Sequence, residues 1–325
     1  MASIGPEPGG NRPIVVPFPE FGPTAFEPST PAGEAAVVVV RPAASRFLVL
    51  EPAVRIGDST AVHDMRVAAR RIRSALRLFR PVVPAWSEGL RTELRWSAAL
   101  LGAVRDLDVQ RRWLAASSEH VDPEDRAILH RLDEVFEERR AQMHSALVEG
   151  IQSIRFDRLR NELSTFARGP GLTWENAGIP VATVAPRLIE KRYRAMRRAA
   201  RSLGPDSPSS ELHALRIRCK RARYAIESVT PIYGKPADSL ARRLRKLQDL
   251  LGDMRDAELA SLRMRELAGA TDIELPPNAA FVLGAISERS ARRARKLRRR
   301  YPDAFARTRG RRWKDLKRVM AELAG

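Results

Sequence analysis

Residues 62–79 read VHDMRVAARRIRSALRLF, and residues 212–227 read LHALRIRCKRARYAIE. Neither stretch contains Pro or Gly, and both are rich in Ala, Leu and Arg, which favour helix. On a helix of 3.6 residues per turn, His63, Arg66, Arg70, Arg73 and Arg77 fall in a sector roughly 80° wide. Met65, Ile72, Leu76 and Phe79 fall on the opposite side. In the second stretch His213, Arg216, Lys220 and Arg223 share one stripe, and Leu215, Ala222, Ile226 and Val229 share the other. Glu227 stands where the first stretch has Arg77, so the shared pattern is four residues deep. Like charges one turn apart cost a helix roughly 0.2–0.5 kcal/mol per pair. Two all-basic stripes in matching positions therefore point to compensation, either by a bound anion or by acids on other helices.

The match extends outward at a constant offset of 150 residues. Leu94, Arg95, Leu100, Leu101, Gly102, Arg105 and Asp106 recur as Leu244, Arg245, Leu250, Leu251, Gly252, Arg255 and Asp256. Two copies of one helical unit are expected, with repeat one over about residues 35–170 and repeat two over about 180–320. Pro and Gly clusters at Pro81–Pro84, Asp122–Pro123, Gly169–Gly171, Gly204–Pro208, Pro231–Pro236 and Pro276–Pro277 separate the helical stretches. No stretch alternates with period two, so the fold class is all-α. Residues 1–33, crowded with Pro and Gly, are expected to be a disordered leader.

The chain has 325 residues, 58 Lys plus Arg and 39 Asp plus Glu, for a formal charge of +19. Such a surplus repels itself and favours anionic partners. Acids cluster over residues 119–138, while bases concentrate at 187–201 and 292–318. Aromatic residues are 6% of the chain, too few to favour base stacking as a binding mode. The one cysteine, Cys219, on an apolar face, is expected to be a core thiol and excludes an internal disulfide. No signal peptide or membrane-spanning run is visible, and the expected location is cytoplasmic.

With its histidine three residues before an arginine, its basic cluster and its later Leu-Gly and Arg-Asp, each found twice, the chain resembles the CHAD (conserved histidine α-helical domain) family. The stretches carrying the resemblance are 62–79, LLGAVRDLDV (100–109), 212–227 and LRKLQDLLGDMRDAELA (244–260). It covers about residues 35–320, nearly everything outside the leader, and one domain of this kind is expected over residues 34–325. It implies two antiparallel helical bundles related by a pseudo-twofold axis, with a basic central surface or pore. It also implies binding of inorganic polyphosphate and association with polyphosphate granules. The Glu-x-Glu-x-Lys signature of the CYTH domain often joined to this family is not present, so a stand-alone member is expected. The family role carries over to His63, Arg66, Arg70, Arg73, His213, Arg216, Lys220 and Arg223. Arg95, Arg105, Arg245 and Arg255 come second, from the neighbouring helix, and Lys191 and Arg194 third.

Two other readings stand beside this one. The run ARRARKLRRR (291–300) would suit nucleic-acid phosphates, though no recognised DNA- or RNA-binding motif accompanies it. A phosphoanhydride-processing enzyme would need carboxylate-held metal, but Asp106 and Asp108, two apart on a helix, point about 200° apart. No cofactor, metal or catalytic residue is expected. Asp106 and Asp256 read as ion-pair partners that orient basic side chains. Gly102 and Gly252 read as close helix–helix contacts, and His120, His130 and His144 as surface residues.

Overall fold

The computed structural model describes residues 25–119, 121–169, 174, 176–270 and 273–324. Every regular element among them is helical; a single isolated bridge joins Pro31 and Pro180. In chain order the helices are α1 (Ala32–Val49), α2 (Glu51–Arg55), α3 (Ser59–Leu78), α4 (Ser87–Ser118), α5 (Arg126–Ile151) and α6 (Ile154–Arg168). They continue as α7 (Val181–Arg201), α8 (Ser209–Glu227), α9 (Thr230–Ala268), α10 (Ala279–Arg298), α11 (Tyr301–Ala306) and α12 (Arg311–Ala324). The expected break at Pro231–Pro236 is a single kink inside α9 at Gly234, whose φ of 53° suits glycine.

The two basic stretches are α3 and α8. Asp58 caps α3, its Oδ1 accepting the amides of Thr60 and Ala61 at 2.7 and 2.8 Å. Beneath the stripe, Met65, Ile72, Leu76 and Phe79 are fully buried, as are Leu215, Ala222, Ile226 and Val229 of the second stretch. Burying each large apolar side chain contributes roughly 1.5–3 kcal/mol, well above the repulsion along the stripe. α3 packs against α1 and α4, and α4 against α5; α8 packs against α7 and α9, and α9 against α10. The same order of neighbours thus occurs in both halves.

Three apolar clusters hold these helices. One, around Phe47, Met65, Leu94 and Phe166, lies within the first half. Another, around Tyr193, Leu215, Leu247 and Tyr301, lies mainly within the second. The third joins the halves, with Leu114, Leu132 and Phe136 packed among Met264, Val282 and Leu283.

Of the leader expected over residues 1–33, residues 1–24 lie outside the described residues. Residues 25–33 are not disordered: Phe26 is buried and α1 starts at Ala32. The amides of Val181 and Ala182, unpaired at the first turn of α7, donate to the carbonyls of Thr30 (2.9 Å) and Pro28 (3.1 Å). Pro-rich chain reads as disordered locally, yet its free carbonyls serve a helix start about 150 residues away. No helix among the described residues is long and apolar enough to cross a membrane.

Cys219 is fully buried, with Sγ 3.3 Å from the Leu244 carbonyl, and burial pushes its thiol pKa up to about 12. The thiol is therefore expected to resist an aromatic disulfide reagent at pH 8 in the native protein and to react fully in denaturant. Rapid native-state labelling would contradict this packing.

Candidate functional site

α3 and α8 lie against each other, and their two basic stripes line one cleft of about 1000 Å³. α3 contributes His63, Arg66, Arg70 and Arg73, and α8 contributes His213, Arg216 and Lys220. α4 adds Arg95 and Arg105, and α9 adds Arg255. The side chains meet because each stripe recurs at three- and four-residue steps along one helix face.

Glycines set how the two arginines nearest α4 and α9 lie. A Cβ on Gly102 would stand 3.5 Å from Nε of Arg66, and one on Gly252 would stand 3.4 Å from Nε of Arg216. These glycines are therefore seats for arginine side chains; the expected close helix–helix contact is not what they serve. An alanine at either position would meet the guanidinium at ordinary van der Waals distance, and a side chain longer than that would displace it. Asp106, one turn beyond Gly102, reaches Arg66 only at 3.9 Å and is itself 64% exposed.

Charge in the cleft is one-sided. Ten Lys or Arg side chains and two histidines line it, against two carboxylates, Asp106 and Asp256. Burial, followed by Arg70, Arg216, Arg221 and Arg66, pushes the Lys220 ammonium down to about 8. Two of those arginines belong to α3, so the stripes act on each other across the cleft. His63 is held below its ordinary value by burial and then by Arg105, and His213 by burial and then by Arg255. Burial, with Arg95 next, lowers Arg73 as well. Nε of Arg70, Nε of Arg216 and Nδ1 of His213 are buried with no hydrogen-bond partner among the described residues. Burial raises the carboxyl of Asp256, with Arg216 acting against it.

Four residues expected at the site lie outside the cleft. Arg223 is buried and bonded to Glu227 at 2.8 Å and to Gln248 at 3.1 Å. Arg245 reaches the same Glu227 at 2.7 Å. The acid that replaces Arg77 thus draws both cations away from the cleft. Lys191 and Arg194 sit on α7, and Arg194 pairs with Glu190 at 2.6 Å.

Conversely, Arg112 and Arg263 line the cleft and were missed. Their positions do not match at the repeat offset: Leu262 corresponds to Arg112, and Trp113 to Arg263. The available signal was helical, since Arg112 lies seven residues after Arg105 and shares its face. Of the other histidines, His120 lies outside the described residues and His130 is exposed. His144 is half-buried and pairs with the Val54 carbonyl at 2.9 Å.

The acid two residues beyond each Arg-Asp pair holds the start of a stripe helix. Arg140 of α5 donates to Asp108 at 2.6 Å and to the Gly57 carbonyl, just before α3, at 2.7 Å. Arg298 of α10 donates to Glu258 at 2.6 Å, and to the Pro205 and Ser207 carbonyls at 3.0 and 2.7 Å, just before α8. Each clamp ties the loop leading to a stripe histidine onto the long helix behind it.

The family model described as CHAD domain matches residues 39–265. Two Mycobacterium tuberculosis proteins, MT2285 (strain CDC 1551 / Oshkosh) and Rv2226 (strain H37Rv), are each 29% identical over 223 residues. That alignment covers 65% of this chain and 41% of each relative, so the match takes in less than half of those longer proteins. Among solved structures, PptA from Streptomyces chartreusis superposes with a TM-score of 0.70 at 21% identity, covering 85% of this chain and 100% of that one. The CHAD domain from the plant Ricinus communis superposes with a TM-score of 0.69 at 25% identity, covering 87% and 93%.

The clamp separates structural acids from site acids. Asp108 and Arg140 are 6% and 13% exposed, so Asp108→Ala strands a buried guanidinium and should cost about 3–5 kcal/mol in urea unfolding. Asp106→Ala, at an exposed position, should change stability by no more than about 0.5 kcal/mol. Equal losses in the two variants would refute the assignment.

Proposed function

Because the chain belongs to the CHAD domain family, we propose that it is a non-enzymatic binding protein for inorganic polyphosphate, held in the cleft between α3 and α8. The observation that carries this is the ten cations and two histidines facing two carboxylates in one cleft. A chain of phosphates, each bearing about one negative charge, supplies the missing anions at every turn of both stripes. Arginine suits the task, because its planar fork gives two hydrogen bonds to one phosphate and stays charged. Arg70 and Arg216 each bring a buried, unpartnered Nε to this contact.

The finer reading treats the two halves as copies related by a pseudo-twofold axis that runs through the cleft. Both stripes then grip one chain from opposite sides, and the basic surface works as a central groove or pore. The cellular role that follows is cytoplasmic attachment to polyphosphate granules, without cleavage of the polymer. Incubation with polyphosphate and Mg²⁺ or Mn²⁺ should release no phosphate above a protein-free control.

Arg70→Glu combined with Lys220→Glu should weaken polyphosphate binding by about 100-fold or more, since hydrogen bonds to charged groups contribute roughly 1.5–3 kcal/mol each. Circular dichroism should stay helical. Wild-type affinity in that variant would refute the site. Log affinity should fall linearly with log salt concentration, with a slope of about −0.7 per phosphate contact as for single strands. DNA displacing long polyphosphate at equal phosphate concentration would favour a nucleic-acid partner instead.

The pH dependence has a definite sign. His63 and His213 lie below 6.5 in the ligand-free fold, and Lys220 lies at about 8 rather than 10.5. The unfolded chain holds these protons more tightly, so their contribution to ligand-free stability grows as pH rises through each window. A polyanion favours the charged forms and reverses the shifts. Binding should therefore take up protons near pH 8 and tighten toward pH 6, read as calorimetric heats that change with buffer ionisation enthalpy. Proton release would contradict the assigned cluster.

A further inference from the structure

Residues 279–325 hold fifteen Lys or Arg against four Asp or Glu, so this stretch carries eleven of the nineteen excess positive charges. None of its residues lines the cleft, whose lining ends at Met264. That share of the surplus therefore lies outside the cleft.

Four of these fifteen bases, Arg300, Arg307, Arg309 and Lys314, flank one seam together with Arg197 and Arg201 of α7. Tyr301 donates its hydroxyl to the Ala200 carbonyl at 3.0 Å, and Tyr193 donates to the Thr308 carbonyl at 2.8 Å. The Tyr193 ring stacks on Trp313 at 4.0 Å. These contacts zip the second half of α7 to the stretch from α11 into α12. Beside them stand Arg197, Arg201, Arg300, Arg307, Arg309 and Lys314, all exposed except the half-buried Arg197. Among the described residues, none of the six has a carboxylate in ion-pair range, whereas neighbouring Arg292, Arg295 and Lys317 do. Arg197 lies over the Tyr193 ring at 5.9 Å, with its buried Nε lacking any partner. Arg309 lies over Phe305 at 4.8 Å and acts electrostatically on both Tyr193 and Tyr301.

The ligand class follows from what the seam withholds. Tyr193, Tyr301 and Phe305 are buried, and Trp313 is half-buried with Tyr193 stacked on one face, which leaves little ring for a nucleobase to stack on. The exposed large apolar residues of this stretch are Phe281 and Leu323, one at the start of α10 and one at the end of α12. A lipid surface would require such residues among the bases. What remains is a repeating anion without bases or acyl chains.

We infer that this seam is a second polyphosphate-binding surface, so that one long chain engages cleft and seam together; this rests on the cleft being a polyphosphate site. The second contact is then intramolecular, and linked sites gain about 10²–10⁴ in avidity when the chain spans both. Short chains reach only one site. Length selectivity thus arises from the spacing of two charged surfaces, with no chemical difference between ligands.

The test uses the full chain with inorganic tripolyphosphate and with a long-chain polyphosphate as probes. Arg307→Glu/Arg309→Glu/Lys314→Glu should keep the tripolyphosphate site that Arg70→Glu/Lys220→Glu removes, bind fewer tripolyphosphates per chain than wild type, and lose about 100-fold in long-chain affinity. Arg307→Gln/Lys314→Gln, which keeps Arg309 on Phe305, should show the same effect to a smaller degree and guards against misfolding. Unchanged long-chain affinity in both variants overturns the inference while leaving the cleft reading intact. If tripolyphosphate binds equally well to wild type and to Arg70→Glu/Lys220→Glu, the cleft reading itself fails. Loss of duplex DNA binding, with long-chain polyphosphate binding unchanged, would assign the seam to nucleic acid and overturn the proposal.

Discussion

Repulsion among Arg66, Arg70, Arg216 and Lys220 is the constraint the rest of the fold is arranged to withstand. Burial, and then these cations acting across the contact of α3 with α8, draws the Lys220 ammonium down to about 8. Three features oppose the repulsion. The apolar face behind each stripe is buried, and that term outweighs the losses between like charges by several fold. Gly102 and Gly252 seat two of the guanidiniums against the long helices. The Asp108–Arg140 and Glu258–Arg298 clamps fix the loops that start α3 and α8. Because all three act on the helices and none neutralises the stripe, the cations stay poised toward the cleft.

The halves share an order of packed helices, and Glu227 in place of Arg77 is one difference that shapes the cleft. Arg77 on α3 leaves Arg73 and Arg95 facing the cleft, whereas Glu227 on α8 binds both Arg223 and Arg245. The cleft is therefore richer in cations along the α3–α4 wall. An extended anion lying in it meets unequal walls, and its longer run of contacts falls on the first half.

Cleft and core are continuous at one end. Phe136 and Met264 belong to the apolar cluster that joins the halves, and both also line the cleft. Gln110 accepts a hydrogen bond from Arg263 at 2.9 Å, linking α4 to α9 nearby. Close packing at this end fixes the separation of the two long helices and hence the width available to a ligand.

Sequence by itself determined the helical class, the two stripes, the faces they present and the family. Those properties depend on a period of 3.6 residues and on spacings within one helix, which a linear string displays directly. Ten of the fourteen expected site residues line the one cleft, because residues sharing a helix face are carried together wherever the helix goes. Only the tertiary structure brought Arg245 to Glu227, whereas Arg223 meets that acid one turn away on its own helix. It alone brought Arg263 to the cleft, turned Gly102 and Gly252 into arginine seats, and bound residues 28–30 to the start of α7. Each of those outcomes is a contact between separate elements, set by how helices pack, and no local period encodes it.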